Sequence, residues 1–343
     1  MVAAVINGRR YNLASWIDKH PGGRLLIENA DSKDITELVN IYHPGNKVNK
    51  ILDKILSEPV IRNLYFMFDD KYKLLKDKIY YNLINKDRYL YDLIMYAAIL
   101  LYFLNINCLL NAVLLIILGC FGHQYVHTSS NKASVLTLAG FISNQWRCEH
   151  VYSHHPYTNT DNDVDLDMFL NINKIPLFGG AKFVLVSNVI VFRPFLQYFW
   201  YPYIKQATKY DLIFVIYNLY DLYFNFGVAW YIKRIIPATW FLLIDSINHY
   251  KKPDINFEYN RVWAEHQINN TQNFIFSNYL YNRYPYIHSL LTFGLDRQVE
   301  HHLFPRIDVY DLHKVNKIIS NDYKIREHVL SVETFKYILY NFA

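Results

Sequence analysis

Eight histidines in four clusters carry the strongest chemical signal in this sequence. Imidazole is a neutral nitrogen donor that suits iron, copper or zinc, and the clusters lie beside the most apolar segments of the chain. Two clusters contain a pair four residues apart, so an α-helix would place each pair on one face, where it could hold one metal. The eight are His123, His127, His150, His154, His155, His249, His301 and His302. We interpret them as ligands of two metal ions, with iron as the metal.

The composition favours a membrane protein. Hydrophobic residues make up 52% of the 343 residues and aromatic residues 17%, which is high for a soluble domain. The 3 cysteines are widely spaced and odd in number, which indicates a reducing compartment. A net charge of +5 without a basic run among aromatics favours a membrane surface over nucleic acid as partner.

Four apolar segments predict two transmembrane helical hairpins. The first comprises Tyr91–Leu104 and Ile106–Gly122, and the second comprises Asp211–Tyr231 and Ile235–Asn248. The first pair is slightly short of the ~20 residues of a usual span, and flanking tyrosines complete it. Four crossings place every histidine cluster and the N-terminal segment on the same side of the membrane.

Polar residues within the second hairpin need an explanation. Lys233 and Arg234 fall in the predicted far-side turn, against the usual charge bias of membrane proteins. Asn218, Asp221 and Asn225 recur at helical spacing in the third predicted span. Because polar side chains are costly in lipid, we expect them to face the interior of the helix bundle.

The N-terminal segment differs from the rest of the chain. Two short strands are predicted around Asn7-Gly8, since Asn-Gly is the strongest short hairpin signal. A His-Pro-Gly-Gly motif runs from His20 to Gly23, and His43 follows 23 residues after His20. By itself the motif is equally consistent with a turn that exposes its histidine.

Residues 2–30, VAAVINGRRYNLASWIDKHPGGRLLIENA, resemble the cytochrome b5 family along their whole length. The resemblance implies a haem b held between His20 and His43 as axial ligands. It also implies that Gly22 and Gly23 let the backbone pass close to the macrocycle. We assign residues 1–60 to this small α+β haem-binding domain.

Residues 61–90 carry mixed charges and are assigned to a linker helix. Leu75, Ile79 and Leu83 recur every four residues, which predicts an amphipathic helix on the membrane surface. A solvated spacer helix is an equally good interpretation.

Three motifs resemble the histidine boxes of membrane fatty-acyl desaturases. They are His-Gln-Tyr-Val-His from His123, His-Val-Tyr-Ser-His-His from His150, and Gln-Val-Glu-His-His-Leu-Phe-Pro from Gln298. A glutamine at the start of the third box is similar to the front-end desaturases, which also carry a fused cytochrome b5 domain. The resemblance implies two irons held by the box histidines, with His249 as a further ligand at the end of the fourth span.

Three further residues are candidates around the metals. Gln298 is predicted to act in catalysis as a weak ligand or a hydrogen-bond donor. Asp245, one turn before His249, could orient that histidine or a metal-bound water, or be a polar residue at a helix end. His266 lies beside Gln267 in a segment resembling the family's stretch before box three, and is a possible ligand or support for one.

Other polar and aromatic residues are assigned supporting, tunnel-lining or structural roles. The acidic run from Asp161 to Asp167 departs from a calcium loop at two key positions, so we expect one of its carboxylates to support a metal ligand. The acyl tunnel is expected to be lined by the third and fourth spans and by Phe192–Tyr203. The three remaining histidines after box two, expected to be structural or solvated, are His288, His313 and His328.

The sequence therefore predicts an α+β haem domain followed by an all-α membrane domain, residues 91–343, with four transmembrane helices and a cytosolic histidine-rich cap. The resemblance implies a dioxygen-dependent front-end desaturase of acyl-CoA or acyl-lipid, fed with electrons from NADH by a cytochrome b5 reductase. A multi-pass location in the endoplasmic reticulum follows from the same resemblance. The alternatives are a sphingolipid long-chain-base desaturase and, in another class, a catalytically inactive haem-binding electron carrier of the membrane.

Overall fold

The computed structural model describes residues 2–61, 65–84, 88–128, 130–164, 176–200, 204–249, 261–334 and 336. A small α+β domain at the N-terminus is followed by a linker helix and a larger, mostly helical domain. The largest hydrophobic core joins the linker helix to the helical domain, while the N-terminal domain has a core of its own.

The N-terminal domain is built on an antiparallel sheet in the order β1-β2-β3. Its strands are β1 (Ala3–Ile6), β2 (Arg9–Asn12) and β3 (Ser57–Pro59). Its helices are α1 (Arg24–Glu28), α2 (Thr36–Tyr42) and α3 (Lys47–Leu52), and a 3₁₀ turn covers Ala14–Trp16. Asn7 and Gly8 both have positive φ, 49° and 72°, as a two-residue hairpin turn requires. The predicted hairpin is confirmed.

The linker helix α4 (Asp70–Leu83) packs one face against the rest of the protein and exposes the other. Leu75, Ile79 and Leu83 are buried in the main core, and the Tyr72 hydroxyl donates a hydrogen bond to the Leu303 carbonyl at 2.9 Å. The four-residue repeat was correct as a helical signal. Both interpretations of its apolar face, membrane surface and solvated spacer, were wrong, because that face packs against the protein.

The helical domain begins with two long helices and continues through irregular helical segments to three more. In chain order these are α5 (Tyr89–Leu104), α6 (Cys108–Val126), a 3₁₀ segment (Asn131–Ala139), α7 (Ser143–Trp146), a π-helix (Arg147–His154), α8 (His155–Tyr157), α9 (Gly179–Tyr198), α10 (Lys209–Asn225) and α11 (Val228–Asn248). Asn107 caps α6 by accepting a hydrogen bond from the Leu110 amide at 2.8 Å. A capping box between Thr208 and Asp211 begins α10.

Short elements complete the C-terminal part. The helices are α12 (Trp263–Asn270), α13 (Asn278–Arg283), α14 (Pro285–Leu291), α15 (Gln298–Leu303) and α16 (Leu312–Ile319). Two parallel strand pairs join distant segments: β4 (Phe66–Met67) with β5 (Arg261–Val262), and β6 (Asn273–Ile275) with β7 (Glu327–Val329). The first pair ties the start of the linker to the helical domain.

Two helices among the described residues, α6 and α9, are long and apolar enough to cross a membrane. Helix α5 is apolar but shorter. Of the four predicted spans only the one at α6 meets this criterion, and α9 meets it without having been predicted. Large exposed apolar side chains on α5, α9 and α10 form surfaces suited to lipid; among them are Leu100, Leu104, Val184, Leu196, Ile213 and Ile216.

The charged residues of the second hairpin lie inside the bundle. Helices α10 and α11 are joined by a short turn, so Lys233 and Arg234 belong to α11 and are buried. Lys233 Nζ lies 2.6 Å from an Asp221 carboxylate oxygen, and Arg234 donates to Asn218 Oδ1 at 2.7 Å. The turn assignment of the two cations was wrong. The interior position of Asp221 and Asn218 is confirmed, whereas Asn225 is exposed.

Candidate haem and metal sites

His20 and His43 face each other across a gap in the N-terminal domain. Their ring centroids are 6.0 Å apart. Two imidazoles bound on opposite sides of one metal, at about 2 Å each, place their centroids roughly 6 Å apart. The His43 Nδ1–H donates to the Val39 carbonyl at 3.2 Å, which leaves Nε2 as the ligand atom. The geometry fits a haem iron between the two rings.

Gly22 makes room for this arrangement. A Cβ at residue 22 would lie 2.6 Å from the His20 ring and 2.5 Å from Leu26, so any other side chain would displace the histidine. Gly23 has a φ of 96°, a conformation that L side chains rarely adopt. Burial lowers the pKa of His43 to about 4, so its imidazole is neutral and able to bind a metal at pH 7.

Five buried histidines meet at one point in the helical domain. This five-histidine group consists of His123, His127, His150, His155 and His301. Helix α6 supplies His123 and ends at His127, while α15 supplies His301. The Nε2 of His150 lies 2.9 Å from that of His123 and 3.0 Å from that of His155. Nitrogens that share a metal at about 2.1 Å are separated by about 3 Å when they are neighbours in its coordination shell.

A second group lies beside the first. This three-histidine group consists of His154, His249 and His302. The side-chain amide of Gln298 contacts two of its members, with Nε2 at 2.9 Å from His249 Nε2 and at 3.0 Å from His302 Nε2. A half-turn of the amide would present its oxygen to the same point. The Gln298 amide therefore lies within hydrogen-bond distance of two members of this group.

The π-helix determines which histidine of the second box belongs to which group. Its wider turn brings His150 together with His155, five residues later, and turns His154 toward the other group. The prediction that His150 and His154 share one helical face and one metal was wrong, because the segment is not α-helical. For His123 and His127, at the end of an α-helix, the same argument was correct.

Several ring nitrogens of these histidines are buried without a hydrogen-bond partner among the described residues. They include Nε2 of His127, both nitrogens of His301 and Nδ1 of His249. Buried polar atoms are normally satisfied, and neutral imidazoles converging on one point are a donor set for a transition metal. Burial and then the neighbouring histidines lower the pKa of His127, His301 and His302 well below the usual value. The residues fit two metal ions.

A second layer of contacts orients the ligand rings. The His154 Nδ1 lies 3.1 Å from a carboxylate oxygen of Asp163, so the acidic run contributes a carboxylate as expected. The His302 Nδ1–H donates to Gln267 Oε1 at 2.9 Å. The His127 Nδ1 is hydrogen-bonded to the Tyr42 hydroxyl at 2.8 Å. Such partners fix the tautomer and orientation of a ligating imidazole.

Two of these partners had no role assigned to them from the sequence. Gln267 stands in the segment singled out before box three, but no role was assigned to it. Tyr42 was missed, and its position next to His43 was the available signal. Residues 165 and 167 of the acidic run lie outside the described residues.

His266 does not join either group. Its Nε2 donates to the Thr158 carbonyl at 2.7 Å, and its Nδ1 lies 3.3 Å from the Asn270 amide nitrogen. Because Thr158 Oγ1 lies 3.1 Å from His302 Nδ1, His266 can act on the three-histidine group through this threonine. The ligand alternative for His266 is not supported by this geometry.

The other three histidines are away from both groups. His288 is buried and bonded to Asp296 at 3.0 Å, which gives it a structural role. His328 is bonded to Thr334 at 2.8 Å. His313 packs edge-on against Tyr286.

A largely apolar cavity leads to both groups. His123 and His150 of the five-histidine group line it, together with His154 and Gln298. Its walls come from α6, α9 and α11, including Leu115, Val189, Pro194, Ala238 and Phe241, and from Phe293 in the segment after α14. Asp245 also lines it. The fourth predicted span contributes as expected, and α6 contributes in place of the third. From the predicted stretch Phe192–Tyr203, Arg193 and Pro194 line the cavity but none of its described aromatic side chains does, and 201–203 lie outside the described residues.

Comparisons with known proteins agree with this arrangement. The family described as "Fatty acid desaturase" matches residues 97–334, and "Cytochrome b5-like Heme/Steroid binding domain" matches residues 2–64. A "Cytochrome b5-related protein" of Drosophila melanogaster is 33% identical over 184 residues, which cover 48% of this chain and only 42% of that protein.

Two longer matches cover nearly the whole chain. A "Delta(5) fatty acid desaturase A" of Dictyostelium discoideum is 23% identical, covering 94% of this chain and 86% of the relative. A human "Fatty acid desaturase 3" is 24% identical, covering 96% and 85%.

Proposed function

Because the chain belongs to the fatty acid desaturase family and carries a cytochrome b5-like domain at its N-terminus, we propose that it is a front-end desaturase that receives electrons from its own haem domain. The enzyme is an oxidoreductase acting on fatty acids. The observation that carries the proposal is the apolar cavity that ends at two histidine groups beside a fused haem-binding domain. The Dictyostelium relative is described as acting at Delta(5), which supports insertion of the double bond toward the carboxyl end of the acyl chain.

We assign the haem to His20 and His43 and two irons to the histidine groups. The five-histidine group holds one iron, and the three-histidine group with Gln298 holds the other. When bound, the irons would supply the dioxygen-dependent oxidation of unactivated carbon–hydrogen bonds, and the haem would deliver the electrons one at a time. No side chain could supply that oxidation.

The protein's own residues bind the chain and keep water out. The acyl chain lies in the cavity between α6, α9 and α11, with its reacting carbons next to His123, His154 and Gln298. Apolar walls exclude water from the reacting carbons. Asp163 and Gln267 fix the orientation of the His154 and His302 rings in the three-histidine group.

The same geometry weighs against the inactive electron carrier. A carrier needs a haem and a reductase surface, but it does not need a cavity that reaches two groups of converging histidines. A sphingoid base has an aliphatic chain that the same cavity would accept, so the long-chain-base alternative is decided by product analysis.

We further propose four membrane crossings, by α5, α6, α10 and α11, with α9 also in contact with lipid. Helix α11 can cross because its two cations are paired inside the bundle with residues of α10, and α5 is shorter but apolar. This topology keeps the haem domain and both histidine groups on the cytosolic face of the endoplasmic reticulum. There an NADH-dependent cytochrome b5 reductase would reduce the haem.

Expression in a host that lacks the product tests the function. Total fatty acids and long-chain bases are analysed by gas chromatography and mass spectrometry, and we expect a new double bond near the carboxyl end of a fatty acid. A His301→Ala variant should form none while retaining the haem absorption of the unmodified chain. An identical lipid profile from His301→Ala and the unmodified, active chain would overturn the assignment, and a new double bond in long-chain bases alone would select the sphingolipid alternative.

A further inference from the structure

The haem domain reaches the five-histidine group through Tyr42. This residue ends α2 and immediately precedes His43. Its hydroxyl lies 2.8 Å from His127 Nδ1, and the two rings are nearly parallel, with 12° between their planes. A residue covalently adjacent to one haem ligand therefore touches a ligand of the non-haem metal site.

The backbone around Tyr42 is held from outside the haem domain. The Arg306 guanidinium donates to the Tyr42 carbonyl at 2.8 Å. In the linker helix, Lys76 donates to the His43 carbonyl at 3.0 Å and the Tyr80 hydroxyl to the Ile41 carbonyl at 3.3 Å. The bonds from Arg306 and Lys76 fix the carbonyls of Tyr42 and His43 themselves, so the contact between Tyr42 and His127 has a supported geometry that does not depend on Tyr80.

The hydrogen bond has a defined direction if His127 binds metal. Its Nε2 has no hydrogen-bond partner among the described residues and belongs to the five-histidine group. The proton then resides on Nδ1 and is donated to the Tyr42 oxygen, which fixes the tautomer and makes the imidazole a better ligand.

We propose that Tyr42 is a positioning residue that couples the haem to the non-haem irons. Its hydroxyl orients His127, and the backbone connects Tyr42 to His43, so one hydrogen bond and a few covalent bonds link the two histidines. The proposal rests on the proposed function. Each transfer along this connection moves one electron, oxidising ferrous haem to ferric and reducing one ferric non-haem iron to ferrous. No proton or atom changes place and no covalent bond is broken.

The test compares Tyr42→Phe with Tyr80→Phe in the full-length enzyme. Both variants lose one hydroxyl from the same interface, but Tyr80 bonds a backbone carbonyl and not a histidine of the group. Haem content and the Soret band check that the haem domain is folded. The haem is reduced anaerobically, and its reoxidation by the ferric non-haem irons is followed by absorbance. Iron retention against a chelator is measured separately.

We expect reoxidation of the haem to be about 10-fold slower in Tyr42→Phe, with faster loss of iron to the chelator, and less than about 2-fold changed in Tyr80→Phe. A single turnover of Tyr42→Phe, with haem and irons already reduced by dithionite, should give nearly the unmodified yield of product. Unchanged reoxidation and iron retention in Tyr42→Phe would overturn the proposal, as would an equal slowing in Tyr80→Phe. Absence of product from the unmodified chain would refute the desaturase function instead, and the haem and iron measurements would still decide the role of Tyr42.

Discussion

The Nε2 atoms of His150 and His155 lie 3.0 Å apart although the residues are five positions apart in the chain. An α-helix would bring residues four apart onto one face. The π-helix from Arg147 to His154 changes that relationship, so one sequence motif contributes histidines to both groups. His301 and His302 also belong to different groups, here because adjacent residues on a helix point in different directions.

The haem and non-haem sites should be separable by mutation. The purified chain is expected to bind one haem b and about two irons. Replacing His20 or His43 by alanine should abolish the Soret absorption and leave the iron content largely unchanged, while His301→Ala should lower the iron content and keep the haem. Pyridine haemochrome and elemental analysis measure the two contents. Joint loss of both from a folded protein would show that the histidines have been divided incorrectly.

Gln298 should be required for product formation. Its amide contacts His249 and His302 at 2.9 and 3.0 Å, so Gln298→Ala removes a donor from the three-histidine group. We expect loss of desaturation in Gln298→Ala and partial activity in Gln298→His, which restores a nitrogen ligand. Product per haem is the measurement. Full activity of Gln298→Ala would show that Gln298 is typical of this family branch but is not required for desaturation.

Ala238 should limit the length of the acyl chain. It lines the cavity on α11, and 11 residues separate it from His249 at the end of that helix, about 16 Å along a helix axis. A phenylalanine at residue 238 should shorten the cavity and shift the products toward shorter acyl chains. Ala97→Phe on the exposed side of α5 is the matched control. An unchanged chain-length distribution in Ala238→Phe would show that the chain takes another route.

Asp221 should contribute strongly to stability. Its carboxylate lies 2.6 Å from Lys233 Nζ and 3.6 Å from an Arg234 nitrogen, and all three side chains are buried. Asp221→Asn leaves two buried cations without their counter-charge, which we expect to cost about 3 kcal/mol. Asp70→Asn, which loses an exposed pair with Lys73, should cost less than about 1 kcal/mol. Thermal unfolding in detergent compares the two, and equal midpoints would contradict the buried role of Asp221.

Local chemistry was sufficient to single out the histidine clusters. The eight histidines stand out because imidazole side chains occur here in short, regular motifs, whereas Gln298 and the pair of His20 and His43 were assigned through the resemblance of their motifs to known families. The Asn7-Gly8 hairpin is local for the same reason, since two residues determine the turn. Each of these features depends on neighbours a few positions away in the chain.

Tertiary packing decided what those residues face. His127 is hydrogen-bonded to Tyr42, 85 positions earlier in the chain. The residue pattern within one segment cannot predict a contact between two distant segments. The apolar face of α4 is equally compatible with lipid and with protein until the surface opposite it is known. Lys233 and Arg234 resemble turn residues in the sequence because their partners, Asp221 and Asn218, lie on another helix. Burial and pairing depend on which segments meet, and only the folded chain determines that.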